Sequence, residues 1–211
     1  MRLQLLFLLV IVLMGSCAKK SYDRTDYSYY KREITKLKAT EKKQSKEETQ
    51  SNFKQNFPTK LTYLSGEEKK QIAKLLEIPS DSIRNEKLYS TILEWMGTPY
   101  LFGGISQEGV DCSALTQQIY LKVYGKEIPR TSIQQFYFDT KNQFKSQKYL
   151  KQGDLIFFRL RYQDAIVSHV GIYLQNGKFL GSNSPRGVEI TELDTNYWQD
   201  KYVASARLLN L

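Results

Sequence analysis

Hydrophobic positions follow three regimes along this chain. Residues 1–17 begin Met1-Arg2, run apolar from Leu3 to Met14 and close on Gly15-Ser16-Cys17. Residues 18 to 60 are polar and lysine-rich, with few apolar side chains beyond Tyr22, Tyr27, Tyr29 and Tyr30. From Leu61 onward apolar residues become periodic, first at helical spacing and later in alternation.

The helical period predicts four helices. Ser65-Gly66-Glu67-Glu68 reads as a helix start, with Ile72, Ala73, Leu75 and Leu76 on one face and Pro79 as the stop. A second helix, from Asp81 or Asn85 to Met96, carries Leu88, Ile92, Leu93 and Met96, and Gly97-Thr98-Pro99 turns the chain out of it. Leu115, Ile119, Tyr120, Val123 and Tyr124 predict a third, ending at Gly125. Pro129-Arg130-Thr131-Ser132 opens a fourth through Phe138, with Thr131 or Ser132 as its N-cap. From Gly153 the runs are short and rich in β-branched and aromatic residues: 154–158, 166–174, 178–183, 187–193 and 202–208. Asn176-Gly177 between two of them is a hairpin signal. Helices followed by consecutive antiparallel strands predict an α+β domain.

Charge and composition narrow the function. Lys+Arg 31 against Asp+Glu 22 gives a net charge of +9 over 211 residues, a weak preference for anionic surfaces. No basic helix has groove-reading spacing and no stacking platform is evident, so a nucleic-acid partner is not expected. One His and two Cys cannot assemble a zinc cluster, so no metal or other cofactor is expected. Cys112 lies where the polar loop Gly103 to Val110 turns into a helix. Unpaired N–H groups and the helix dipole at that position favour a thiolate, which makes Cys112 a candidate nucleophile. His169, the sole His, falls in a strand where alternation groups it with Gly171 and Tyr173, opposite Val170, Ile172 and Leu174. It is the only side chain able to serve Cys112 as a base near neutral pH.

The blocks Trp95-Met96-Gly97-Thr98-Pro99-Tyr100-Leu101-Phe102-Gly103-Gly104 and Val110-Asp111-Cys112-Ser113-Ala114-Leu115 resemble the start of an NlpC/P60 cysteine peptidase domain. Ile128 to Gln135, Gly153 to Phe158 and Ser168 to Tyr173 resemble its later blocks, in the expected order. The resemblance runs from about Leu88 to the end of the chain. It implies a papain-like fold, with helices on an antiparallel sheet of five to six strands and the nucleophile Cys112 at a helix N-terminus. It implies hydrolysis of peptidoglycan stem peptides, beside D-Glu, by Cys112 and His169. By position it also implies that Tyr100 lines the cleft, that Asp111 and Ser113 contact the stem peptide, and that Arg130 meets either a substrate carboxylate or an ion-pair partner. In the family a polar residue, usually His, follows on the next strand, and here that position is Gly181. Asn183 shares its strand face and is the candidate third member; a water, a backbone carbonyl or a degraded triad are the alternatives. The alternative functions are a binding or scaffold protein that keeps the fold with weakened turnover, or acyl or amidase chemistry on another substrate.

Gly15-Ser16-Cys17 resembles a bacterial lipobox. The expected organisation is a signal peptide over 1–16, a lipidated Cys17 with a basic tether over 17–60, a helical lead-in over 61–87 and the catalytic domain over 88–211. Within the tether, Glu33 to Thr49 is compatible with a solvated helix. The expectation is an exported, membrane-anchored monomer whose partner is peptidoglycan or muropeptides.

Overall fold

A computed structural model describes residues 63–161 and 165–209. The signal peptide, Cys17, the tether and its possible helix lie outside the described residues.

Each predicted helix forms, and each is capped by a residue visible in the sequence. Helix α1 (Gly66–Leu76) starts in a capping box in which Ser65 and Glu68 satisfy each other's backbone N–H. Helix α2 (Glu86–Trp95) is capped by Asn85, whose Oδ1 accepts from Leu88 N. Helix α3 (Cys112–Tyr124) is capped by Asp111 and ends at Gly125 in the left-handed region. Helix α4 (Ser132–Phe138) takes Thr131 as N-cap, with Gln134 completing the box. A short hairpin, β1 (Ile105–Ser106) with β2 (Gly109–Val110), precedes α3.

Six strands make one antiparallel sheet: β3 (Gln143–Phe144), β4 (Leu155–Phe158), β5 (His169–Tyr173), β6 (Lys178–Asn183), β7 (Gly187–Glu192) and β8 (Tyr202–Ala206). Their spatial order is β3-β8-β4-β5-β6-β7. The β5–β6 turn uses Asn176 and Gly177, both at positive φ, as a two-residue hairpin requires. Three features were not predicted: the β1–β2 hairpin within the expected polar loop, strand β3 and helix α5 (Asn196–Lys201). Two residues and six residues are too short to display a period.

The alternation sorts side chains onto the two faces of the sheet. Leu155, Phe157, Val170, Ile172, Leu180, Ala204 and Ala206 face the helices and pack with Cys112, Leu115 and Ile119 of α3. Ile156, Phe158 and Phe179 face the other way and are covered by Leu193 and by Trp198 of α5. The lead-in belongs to the main core. Ile72 and Leu76 are fully buried in it, and Asn176 Nδ2 donates to the Leu76 carbonyl at 2.8 Å, tying α1 to the β5–β6 turn. Leu75, predicted on the apolar face of α1, is at its exposed margin instead.

Candidate active site

The start of α3 is held by a cluster of polar side chains. Asp111 Oδ1 accepts from Ala114 N at 2.7 Å and from Ser113 Oγ at 2.9 Å, and Oδ2 accepts from Gly103 N at 3.1 Å. Arg130 closes on the same carboxylate in a two-pronged ion pair, 3.0 and 2.7 Å, and also donates to Ser113 Oγ at 3.0 Å. Burial would raise the Asp111 pKa, but the guanidinium and the Ala114 N–H outweigh it, and the carboxyl stays below its ordinary range. Of the two roles expected for Arg130, the structure gives it the ion pair. Asp111 and Ser113 are buried and bonded to each other and to Arg130.

Cys112 follows directly, buried in the main core. Its sulphur is approached by the backbone N–H groups of Val170, Ser113 and Cys112 itself, so α3 places it against β5, one residue from His169. These donors favour the thiolate, as a helix start should. Burial dominates, with the Asp111 charge adding to it, and the thiol is pushed up to about 11. The helix terminus alone therefore does not produce the resting thiolate expected from the sequence.

His169 opens β5 on the face away from α3. Its ring stacks on Trp198, with centroids 5.5 Å apart and planes 21° apart, and lies 5.9 Å from Phe158. Burial lowers its pKa to about 4, partly countered by the Asn183 side chain and the Asp111 charge. Burial thus pushes the thiol and the imidazole each toward its neutral form.

Asn183 ends β6. The β5–β6 register pairs Ile172 with Leu180 and Tyr173 with Phe179; carried along both strands, it sets His169 opposite Asn183. Asn183 is 4% exposed, and its Nδ2 donates to Glu189 Oε1 at 2.7 Å. Its Oδ1 is buried without a regular hydrogen bond, and so is Nε2 of His169. The amide interacts with the ring, in a contact looser than ordinary hydrogen-bond geometry. A Cβ added at Gly181 would lie 2.8 Å from Asn183 Oδ1. The Asn183 side chain therefore folds back over Gly181 and occupies the space a side chain there would fill. Ser182 points the opposite way and donates to the Val110 carbonyl at 2.7 Å, as parity requires.

His169 and Asn183 line a cleft of about 550 Å³ together with Tyr100, Arg186, Tyr197 and Trp198, among others. Tyr100 is half-buried, and its pKa is raised by burial and then by the proximity of Cys112 and Asp111. It is held there by the approach of β7. Val188 N donates to the Thr98 carbonyl at 2.8 Å, and Gly97 N donates to the Val188 carbonyl at 2.9 Å. Only glycine fits at 187, since a Cβ there would sit 2.2 Å from the Thr98 oxygen and φ is +81°. Among the described residues no three His, Cys, Asp or Glu side chains are grouped as metal ligands.

Sequence reasoning missed Arg186, Glu189 and Trp198. Glu189 shared a legible strand parity with Gly187 and Thr191, but nothing local marks a carboxylate on a strand as the partner of an amide on the next one. Trp198 lies on the helix too short to predict.

Residues 97–207 match the NlpC/P60 family. The chain is 31% identical over 132 residues to the murein DD-endopeptidase MepS/murein LD-carboxypeptidase of Escherichia coli K12, spanning 61% of this chain and 67% of that protein. It is 36% identical over 124 residues to the bifunctional muramidase/DL-endopeptidase CwlT of Bacillus subtilis, spanning 58% and 36%. A Bacillus cereus NlpC/P60 family protein of known structure superposes with a TM-score of 0.50 at 34% identity, over 59% of this chain and 40% of that one. The chain thus spans less than half of that solved structure. Fold and sequence define the class, a cysteine peptidase. The chain belongs to the NlpC/P60 family.

Proposed function

We propose that this protein is a peptidoglycan endopeptidase that cleaves stem-peptide amide bonds through Cys112 and His169. The observation that carries the reading is that His169, Asn183 and Tyr100 line one cleft and that Cys112 lies close to Tyr100, in a chain whose relatives are named as murein endopeptidases. His169 Nε2 and Asn183 Oδ1 are both buried without another partner and the amide interacts with the ring, so our reading sets Nε2 toward Asn183 and leaves the Nδ1 lone pair for the thiol. As the sulphur attacks the amide carbonyl carbon, its proton passes to Nδ1. The charge on the carbonyl oxygen is met by the Cys112 backbone N–H and the Tyr100 hydroxyl. The imidazolium then gives that proton to the departing amine nitrogen as the C–N bond breaks. Water attacks the thioester in turn, losing a proton to His169 and releasing the acid and the thiol. Because burial favours the neutral form of both groups, the proton moves with the attack rather than before it.

The relatives' names divide between DD- and DL-bonds. Our reading is cleavage beside D-Glu, with a stem-peptide carboxylate meeting Arg186. Arg186 lines the cleft with its side chain 61% exposed, whereas Arg130 is committed to Asp111. Digestion of purified muropeptides, with products read by mass, tests the bond. Cys112→Ala and His169→Ala should abolish it with the fold intact, and near wild-type turnover by Cys112→Ala would end the peptidase reading. A membrane anchor on Cys17 is part of the same proposal, supported by the lipobox-like Gly15-Ser16-Cys17. Cys17→Ser should move the protein from the membrane pellet to the supernatant.

A further inference from the structure

Glu189 leaves the Asn183 amide one orientation. Asn183 Nδ2 donates to Glu189 Oε1 at 2.7 Å, and an ionised carboxylate can only accept. Turned over, the amide would set its oxygen against that carboxylate and point N–H groups at His169. In the observed orientation the inward atom is Oδ1, buried with no other partner, and Nε2 of His169 is buried in the same condition. Glu189 reaches this place because the β6–β7 register sets it directly opposite Gly181, which has no side chain to intervene. The same Oε1 accepts Arg186 Nε at 2.8 Å, which anchors the carboxylate from a second side.

We infer that Glu189 is a positioning residue for the thiol–imidazole pair, and that through Asn183 it decides which ring nitrogen of His169 carries the proton. The inference rests on Cys112 and His169 being the reacting pair. An oxygen acceptor facing Nε2 holds the proton on that nitrogen and leaves the Nδ1 lone pair for the thiol. An amide turned the other way would donate to Nε2, shift the proton to Nδ1 and leave the sulphur without a base.

The chain has one histidine, so ¹⁵N-histidine labelling of the full-length protein reports a single imidazole. At pH 7 the wild type should show one tautomer, protonated on Nε2. Glu189→Ala frees the amide to take either orientation and should give a tautomer mixture. With it, kcat on muropeptides should fall about ten- to a hundredfold while KM stays within about twofold. Glu189→Gln keeps size and shape but offers the amide both a donor and an acceptor; it should fall between wild type and Glu189→Ala. In the Asn183→Ala background, Glu189→Ala should cost no further kcat, because the group it orients is gone. Arg186→Ala separates the other partner of Glu189 and should raise KM without disturbing the tautomer. A single Nε2-protonated form with unchanged kcat in both Glu189 variants overturns the inference, as do losses that add in the double variant. The tautomer is read without turnover, so a wild type that cleaves no muropeptide would sink the peptidase proposal and leave this result to stand or fall separately.

Discussion

The sulphur of Cys112 receives three backbone N–H groups, yet burial, with the Asp111 charge adding to it, pushes the thiol up to about 11. Alkylation by iodoacetamide should therefore climb steadily from pH 7 to pH 10, with no plateau below neutrality. A plateau by pH 7 would show a resting thiolate and contradict the upward push that burial gives the thiol. Asn183 and Gly181 form the second residue-scale test. Asn183→Ala should lower kcat by about one to three orders of magnitude with little change in stability. Gly181→His should recover part of that activity in the Asn183→Ala background, where the amide has vacated the space. In the wild-type background Gly181→His should be harmful, since its Cβ would lie 2.8 Å from Asn183 Oδ1. Ser182→Ala, on the opposite face, should leave kcat within about twofold of wild type. Steady-state kinetics on a single muropeptide distinguishes these outcomes.

Among the elements, α1 has the least obvious place, because the family match begins only at residue 97. Yet Leu64, Ile72 and Leu76 are buried in the main core, and Asn176 supplies partners to the carbonyls of Leu76 and Glu77 at the end of α1. Three aliphatic side chains at about 1.5–3 kcal/mol each make the segment worth at least about 4 kcal/mol. A variant lacking residues 63–78 should show a lower urea midpoint and exposed apolar surface detected by dye binding. An unchanged midpoint would mean that α1 is an appendage. Its position also settles whether the lead-in covers the cleft: it packs on the core and on the β5–β6 turn, and none of its residues lines the cleft.

For the molecule as a whole, burial of His169 links stability to pH. Its folded pKa is about 4 against 6.5 for the free side chain. Between those values the unfolded chain binds a proton that the native chain does not, so stability rises with pH across the window. The contribution is complete above pH 6.5 and is lost as pH falls to 4, amounting to about 3 kcal/mol. Urea denaturation at pH 7, 5.5 and 4 should show that loss in the wild type, and His169→Gln should flatten it over the same range. An identical slope in His169→Gln would place the acid sensitivity elsewhere.

The sequence by itself determined the main helices and strands and singled out the candidate reacting residues. Caps such as Ser65, Asn85, Asp111 and Thr131 are local chemistry, readable because their partners lie three residues away. The same holds for the Asn176-Gly177 turn, and for the two faces of β5 and β6, which follow from a period of two. Scarcity of His and Cys left Cys112 and His169 as the candidate pair before any geometry was known. Tertiary structure decided the quantities that depend on distant neighbours. It committed Arg130 to Asp111 across 19 positions, and it raised the Cys112 thiol and lowered the His169 imidazole by burying both. It stacked Trp198 on His169, and it brought Glu189 across the sheet to the Asn183 amide. Desolvation and charge proximity act through space, and no pattern along the chain encodes the distances that set them.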